Sequence, residues 1–306
     1  STPKPSSAAS DVYKRQGSPI RCIRVSVQIA SWNVNSIRTR LDHVIRWLDQ
    51  SGVDLLALQE TKVDDPLFPL EPFRSRGYEV SFHGQKSYNG VALISRQPLE
   101  DVRLGFMGEL EADPEAEELS QQKRVISALV DGIRVVNLYV PNGSSLQSEK
   151  YDYKLKWLSC LERYLRAAQT RDEPLCMVGD FNIGPEARDL HDPDRLSGGI
   201  MASDAERNAL AQALGDDLKD AFRLFESGSG HWSWWDYRSG AWNRDSGWRI
   251  DHIYLSSDLQ ELALSCQIDK QERDREQPSD HAPVVVDLSW ELEEECEDDP
   301  DSFRMD

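Results

Sequence analysis

The apolar runs of this chain are strand-length, and most of them end in a small cluster of polar residues. Val53–Leu58 and Val284–Val286 are typical. No window approaches the roughly 20 consecutive apolar residues that a membrane-spanning helix needs, so a core must be assembled from many short elements. Within 306 residues that core can form one large α/β domain.

Ile23, Val25, Val27 and Ile29 alternate with polar or small neighbours, the period of a half-buried strand. Leu41, Val44, Ile45 and Leu48 then follow helical spacing, and Gly52 stops that helix. Val53–Gln59 reads as a central strand. Tyr78–Phe82, Gly90–Ser95, Arg124–Val130 and Ile133–Val140 are further strands, the last two joined by an Asp131-Gly132 hairpin turn. A long helix is predicted from Ser148 to Ala168, with Leu155, Leu158, Leu161 and Leu165 on its buried face, followed by a strand over Leu175–Phe181. Ser203 and Glu206 form a capping box ahead of a helix carrying Leu210, Ala213 and Leu214. Arg249–Leu255, Leu262–Ile268 and Ala282–Leu288 close the pattern. The mixed order predicts an α/β fold of two mixed sheets packed face to face, with helices on the outside. Residues 21–290 make up that single domain. Residues 1–20, rich in Ser, Pro and Ala, read as a disordered or extraneous leader, and 291–306 as an acidic disordered tail.

The net charge of −19 at first argues against a nucleic-acid partner. Glu291–Asp306 alone contributes −8, however, and Glu109–Leu119 holds six acids and no base. Elsewhere there are basic stretches such as Arg38-Thr-Arg40 and Lys154–Lys156, and local potential decides whether a phosphate backbone can dock. Five scattered cysteines in no zinc-like spacing fit a reducing compartment. That is the cytoplasm of a bacterium, with an organelle or the nucleus as the eukaryotic equivalent.

Six polar clusters stand at strand ends: Ser31-Trp-Asn33-Val-Asn35, Gln59-Glu60-Thr-Lys62, Tyr139-Val-Pro-Asn142-Gly143, Gly179-Asp180-Phe-Asn182, Arg249-Ile-Asp251-His252 and Ser279-Asp280-His281. A strand end on a rigid sheet is a natural place for function. Each cluster alone is short enough to be a turn, and their number on one chain carries the weight. Glu60, Asp180 and Asp280, with amide oxygens from Asn33 and Asn182, are hard ligands suited to Mg²⁺ or Mn²⁺. Carboxylates around such an ion suit phosphate chemistry, with His281 bonding phosphate or moving a proton and Asp251 orienting its ring.

Together, Val27–Arg38, Leu58–Lys62, Asn137–Asn142, Gly179–Asn182, Trp234–Arg238, Gly247–Asp251 and Ser279–His281 resemble the exodeoxyribonuclease III family. These are the bacterial-type abasic-site endonucleases of the endonuclease/exonuclease/phosphatase superfamily, and the likeness runs from about Val25 to Leu288. The resemblance implies a four-layered α/β sandwich and Mg²⁺ dependence, with Mn²⁺ as a substitute. It also implies a monomer acting on double-stranded DNA with abasic sites or blocked 3′ ends, with no membrane partner. The implied activities are incision 5′ to the abasic site, 3′→5′ exonuclease and 3′-phosphodiesterase. By motif position Glu60 is the main metal ligand, with Asn33 and Asp280 near the ion. Asp180 activates water or protonates the leaving oxygen, Asn182 orients the nucleophile, Tyr139 and Asn142 contact the scissile phosphate, and the Asp251–His281 pair stabilises it. Some relatives carry Asp where this chain has Asn35, and the neutral amide puts a second metal position in doubt.

Five of nine tryptophans fall in the 17 residues from Trp232 to Trp248. By motif position Trp234 and Trp248 wall a pocket for a flipped abasic sugar, which costs least to extrude. Trp232 and Trp235 read as core, and His83, His191, His231 and His252 as structural. Arg38 and Lys86–Asn89 are candidate backbone contacts. Two other readings compete. A superfamily phosphatase acting on inositol phosphates or phospholipids would use the same metal core, and a DNA-binding relative without catalysis would show gaps in the polar set.

Overall fold

The computed structural model of the chain describes residues 20–295, and side-chain environments over 26–289. The leader expected over 1–20 lies outside the described residues except for Ile20, as does the expected tail beyond Glu295. Contacts divide the chain into a large unit, 26–289, and a small one made of 1–25 with 290–306. The large unit holds the site, and the description below concerns it.

In chain order the strands are β1 (Ile20–Asn33), β2 (Leu55–Gln59), β3 (Glu79–His83), β4 (Val91–Ser95), β5 (Glu100–Leu104), β6 (Val125–Val130), β7 (Ile133–Tyr139), β8 (Leu175–Asp180), β9 (Lys219–Asp220), β10 (Asp251–Leu255), β11 (Ala263–Ile268) and β12 (Val284–Glu295). They form two six-stranded sheets, ordered β11-β12-β1-β2-β4-β3 and β5-β6-β7-β8-β10-β9. Each sheet is mixed: β1 runs parallel to β2 and β7 parallel to β8, among antiparallel neighbours. The helices are α1 (Ile37–Ser51), α2 (Glu71–Arg74), α3 (Pro114–Ser120), α4 (Glu149–Ala168), α5 (Pro193–Leu196), α6 (Asp204–Leu214), α7 (Ala221–Phe225) and α8 (Ser257–Gln260). This is the α/β architecture expected, with two differences at its edges. β5 is largely exposed and β9 has two residues, so neither carries the apolar alternation by which strands are read. Residues 291–295, assigned to the tail, continue β12.

Local chemistry explains the main elements. α1 buries Ile37, Val44, Trp47 and Leu48, and it ends where Gly52 turns left-handed and donates its N–H to Leu48 O. Asp131 and Gly132, at φ 49° and 80°, make the two-residue turn that joins β6 to β7. α4 starts on Ser148, whose hydroxyl accepts from Tyr151 N. Its buried stripe differs from the predicted one. Leu155 is half-buried, and Lys154 and Trp157 join Leu158, Leu161 and Leu165 inside. Among the described residues no helix is long and apolar enough to cross a membrane.

The sheets are joined by amides as well as by apolar packing. Asn137 of β7 donates its side-chain N–H groups to Leu58 O of β2 and Ala92 O of β4, both at 2.9 Å. Its Oδ1 accepts from Gln59 Nε2 at 2.8 Å, and Gln59 also donates to Ser31 Oγ at 3.1 Å. Apolar faces tolerate sliding, whereas buried amides lose their partners if the sheets shift. Asn137→Leu would remove three buried hydrogen bonds. Each is worth about 1 kcal/mol, so thermal melting should show a Tm drop on the order of 10 °C.

Candidate active site

Strand register gathers the polar clusters at one edge of the sandwich. Tyr139 on β7 and Asp251 on β10 flank Asp180 on β8 as direct register partners. In the other sheet Asn33 ends β1 opposite Gln59, and Glu60 follows at once. Asn35, Glu60, Lys62 and Asn182 all take positive φ, between 45° and 53°. For non-glycine residues this is uncommon backbone, and here it shapes the turns that carry these side chains. The Glu60 turn is pinned by Thr61 N donating to Gly90 O and Lys62 N to Asn89 O. Gly90 is required there, because a Cβ would stand 2.2 Å from Thr61 Oγ1.

Asn33 bridges the two sheets, its Nδ2 donating to Glu60 Oε1 and to Asp180 Oδ2, both at 2.9 Å. Asp180 also accepts from Asn182 N at 2.9 Å and Asn182 Nδ2 at 3.2 Å. Asn182 Oδ1 receives Asn142 Nδ2 at 2.9 Å. His281 Nδ1 lies 3.0 and 2.9 Å from the two oxygens of Asp251, and its Nε2 is 3.8 Å from Asp180 Oδ2. Ser279 Oγ donates to Asn33 O, and Trp32 Nε1 to His281 O, so the histidine segment is tied to the end of β1.

The charges differ sharply within a few ångströms. Burial, reinforced by Asp251 and Glu60 and opposed by His281, pushes the Asp180 carboxyl up to about 7. Burial alone would lower the His281 imidazole, but the charges of Asp251 and Asp180 push it up to about 10. Glu60 is also buried, yet the Lys62 ammonium 2.7 Å away and the Asn33 amide hold it below its usual value. Burial and the nearby Glu60 charge keep the Tyr139 phenol protonated.

Glu60, Asp180 and His281 each offer a ligand atom, all within 4.8 Å of one another. This group could hold a metal ion, and it differs from the set expected. Asp280 accepts Asn35 Nδ2 on one oxygen and Trp234 Nε1 on the other, both at 3.0 Å. Asn33 turns its N–H groups, not its oxygen, toward the carboxylates, and the amide oxygen of Asn182 is taken by Asn142. Asn35 Oδ1 receives Lys62 Nζ at 2.5 Å, which places a cation beside the neutral amide. Lys62 had been read only as part of a motif, and its partners are visible only in three dimensions.

Trp234 and Trp248 line one cavity of about 710 Å³, with His191, Met201, Arg195 and Arg244 among the other walls. The cavity adjoins the polar cluster, since Trp234 pairs with both Trp248 and His281 through isolated bridges. Trp232 and Trp235 are buried, as expected. His252 sits between Arg249 Nη1 and Ile183 O, both at 3.0 Å, a structural placement. His191 belongs to the cavity wall, although it had been read as structural. Arg38 is exposed. Lys154–Lys156 is not a basic face: Lys154 is buried, and Lys156 pairs with Glu118 at 2.9 Å. Of the six acids of Glu109–Leu119, Glu109 pairs with Arg103 and Arg171, and Asp113 and Glu115 pair with Arg163.

The chain matches the model of the Endonuclease/Exonuclease/phosphatase family over residues 30–281. It is 34% identical over 270 residues to exodeoxyribonuclease III of Haemophilus influenzae, covering 84% of this chain and 98% of that protein. Against the exodeoxyribonuclease of Bacillus subtilis the identity is 32% over 265 residues, with 85% and 98% covered. Among solved structures, a 3′-5′ exonuclease from Neisseria meningitidis superposes with a TM-score of 0.80 at 38% identity, over 86% of this chain and all of that one. An AP endonuclease from Archaeoglobus fulgidus gives 0.79 at 39%, over 86% and 99%.

The buried Asp180 makes one prediction independent of turnover. Its folded value lies above that of an unfolded aspartate, about 4, so its stabilising contribution is complete below that pH and is lost as pH rises through about 7. Asp180→Asn should therefore raise the Tm of EDTA-treated protein at pH 8 by a few degrees, at about 2–4 °C per kcal/mol. The gap should narrow to about a third at pH 5 and close at about pH 4. Melting curves at these pH values check it.

Proposed function

The chain belongs to the endonuclease/exonuclease/phosphatase family, and from that membership and the site's geometry we propose that it is a Mg²⁺-dependent DNA-repair nuclease. It hydrolyses phosphodiesters in double-stranded DNA, incising 5′ to abasic sites and removing nucleotides and blocking groups from 3′ ends. It acts as a cytoplasmic monomer. The observation that carries this reading is the junction at Asp280, where the carboxylate-histidine cluster meets the two-tryptophan cavity.

The donor set fits a hard divalent cation. Glu60 and Asp180 offer carboxylate oxygens, and Asp180 carries the excess of buried negative charge that a cation would relieve. Mg²⁺ held there, with Mn²⁺ as a substitute, would supply charge that stabilises the phosphoryl oxygens as bonds are made and broken. His281 is better suited to phosphate than to metal, because an imidazole that keeps both protons cannot ligate. Asp251 accepts the hydrogen bond from Nδ1–H, which leaves Nε2–H to donate to a non-bridging oxygen. Tyr139, whose phenol stays protonated, offers a second donor from β7. Asp180 accepts the proton of a water that Asn182 orients. The water oxygen bonds to phosphorus and the bond to the 3′ oxygen breaks; that oxygen takes a proton from solvent and leaves as a hydroxyl, and Asp180 returns the proton it accepted to solvent.

Specificity comes from the cavity. A sugar without a base presents small apolar faces, and flipping it costs little because no stacking is lost. Trp234 and Trp248 supply flat walls, while Arg38 and Asn142 bind the backbone around the flipped unit.

A duplex with one abasic analogue should be nicked when Mg²⁺ is added and left intact in EDTA. Inert DNA together with turnover of inositol phosphates would replace this reading with a phosphatase. Glu60→Ala should lower turnover by about three orders of magnitude while DNA binding survives. Trp248→Ala should slow abasic incision about tenfold more than non-specific exonuclease cleavage, measured on matched duplexes. Equal losses on both substrates would reduce that indole to packing.

A further inference from the structure

Lys154 is the charged residue on the buried stripe of α4, and it faces an equally buried Glu206 on α6. Its ammonium has three protons and three acceptors: Glu206 Oε1 at 2.5 Å, Asn182 O at 2.8 Å and Asn142 O at 3.2 Å. Glu206 is equally committed. Its Oε1 also accepts Met201 N at 3.1 Å, and its Oε2 accepts Ser203 N at 3.1 Å and Ser203 Oγ at 2.6 Å. Packing around the ammonium arm is tight. A Cβ on Gly143 would stand 3.2 Å from Lys154 Cδ and 3.0 Å from Ile200 Cδ1.

A buried ion pair is weak evidence for stability, since two apolar side chains of similar volume often serve as well. What the ammonium does here, and a methyl group cannot, is hold two specific carbonyls at a fixed separation. Those carbonyls belong to Asn142 and Asn182, whose side chains bond each other at the reacting edge. The third arm runs through Glu206 to the backbone of Met201, which lines the tryptophan cavity and whose Sδ lies 3.3 Å from Asn142 Nδ2.

The geometry points to Lys154 and Glu206 as a positioning pair for the nuclease reaction, setting the phosphate-contacting Asn142 and the water-orienting Asn182 against each other and against the cavity wall. The inference rests on the nuclease reading. It adds two residues that touch no substrate and act through the loops they hold.

The test compares wild type with K154M/E206L, which replaces the pair by apolar groups, and with E206Q, which keeps the shape and most of the hydrogen-bonding atoms. Three quantities are read: the single-turnover rate on an abasic duplex with Mg²⁺, the Kd for that duplex in EDTA, and the Tm. The rate should fall about 100-fold in the double variant and about tenfold in E206Q, because a misplacement of about 1 Å is enough for that loss. Kd should stay within about threefold, as a positioning role leaves the binding surface intact. A purely structural pair would lower the Tm and leave the rate of the folded protein alone. A rate within about twofold of wild type in either folded variant therefore overturns the proposal. Should wild type itself fail to cut, the nuclease reading falls and the pair is judged separately by side-chain amide NMR. Shifts of both the Asn142 and Asn182 amides in E206Q would uphold it, and unmoved resonances would overturn it.

Discussion

The Asn33 side chain donates to two carboxylates that belong to different sheets, Glu60 beyond β2 and Asp180 at the end of β8. The reacting edge depends on this contact. Neither sheet alone contains the site, so its geometry is only as good as the registration of one sheet on the other. Apolar side chains between sheets fix the spacing but not the sliding position. The Asn137–Gln59 bridge, one turn of the pleat below the site, supplies that missing constraint. A buried amide has fixed donor directions and a high cost if unpaired, and so it acts as a stop. Gln59 immediately precedes Glu60, and Asn137 lies two residues before Tyr139 on β7, which transmits the registration to the residues that need it.

The same seam explains how one cluster holds groups of opposite protonation near neutral pH. Asp180 and His281 are both buried, and a lone buried charge would be neutralised by a shift in its own pKa. Here the third member decides. Asp251 stands on β10 beside Asp180 and contacts His281 with both oxygens, so the histidine keeps its proton while Asp180 is pushed up. Separating the acid and base roles therefore needs no unusual residue, only two side chains placed by strand register and one from the segment that leads into β12.

Much of this was legible in the sequence because strand ends are. Apolar runs announced β1, β2, β7 and β8, and the polar residues that closed them are the ones that converge. The Asp131-Gly132 turn and the Ser203–Glu206 box announced themselves for equally local reasons. What stayed hidden depends on partners far away in the chain. Glu206 looked like a helix cap, and it is one, but its other oxygen faces Lys154, 52 residues earlier. Lys154 carried a signal that was missed. It lies four and seven residues before Leu158 and Leu161, so it shares their buried face, and a lysine there must have a partner. The acidic stretch from Glu109 differs in the opposite sense, because three of its six acids, Glu109, Asp113 and Glu115, pair with Arg163 or Arg171 from α4 and the turn after it.

The Asp280 carboxylate shows why chemistry and recognition are hard to separate in such a site. One oxygen holds the Trp234 indole that walls the cavity, and the other holds Asn35, which in turn receives the Lys62 ammonium paired with Glu60. A chain of four polar contacts thus runs from the cavity wall to the carboxylate best placed for a cation. Aromatic packing alone would let the indole rock, because a flat apolar contact has no preferred rotation. The hydrogen bond from Nε1 fixes it, and although burial pushes the other way, the His281 charge and this bond hold the Asp280 carboxyl below its usual value, so it accepts as a carboxylate. In the proposed reaction, recognition of a flipped unit and arrangement of the reacting groups would therefore draw on the same few side chains. A change at Asp280 must reach both, and a change at Trp248, whose indole is held by packing rather than by this chain of contacts, need not.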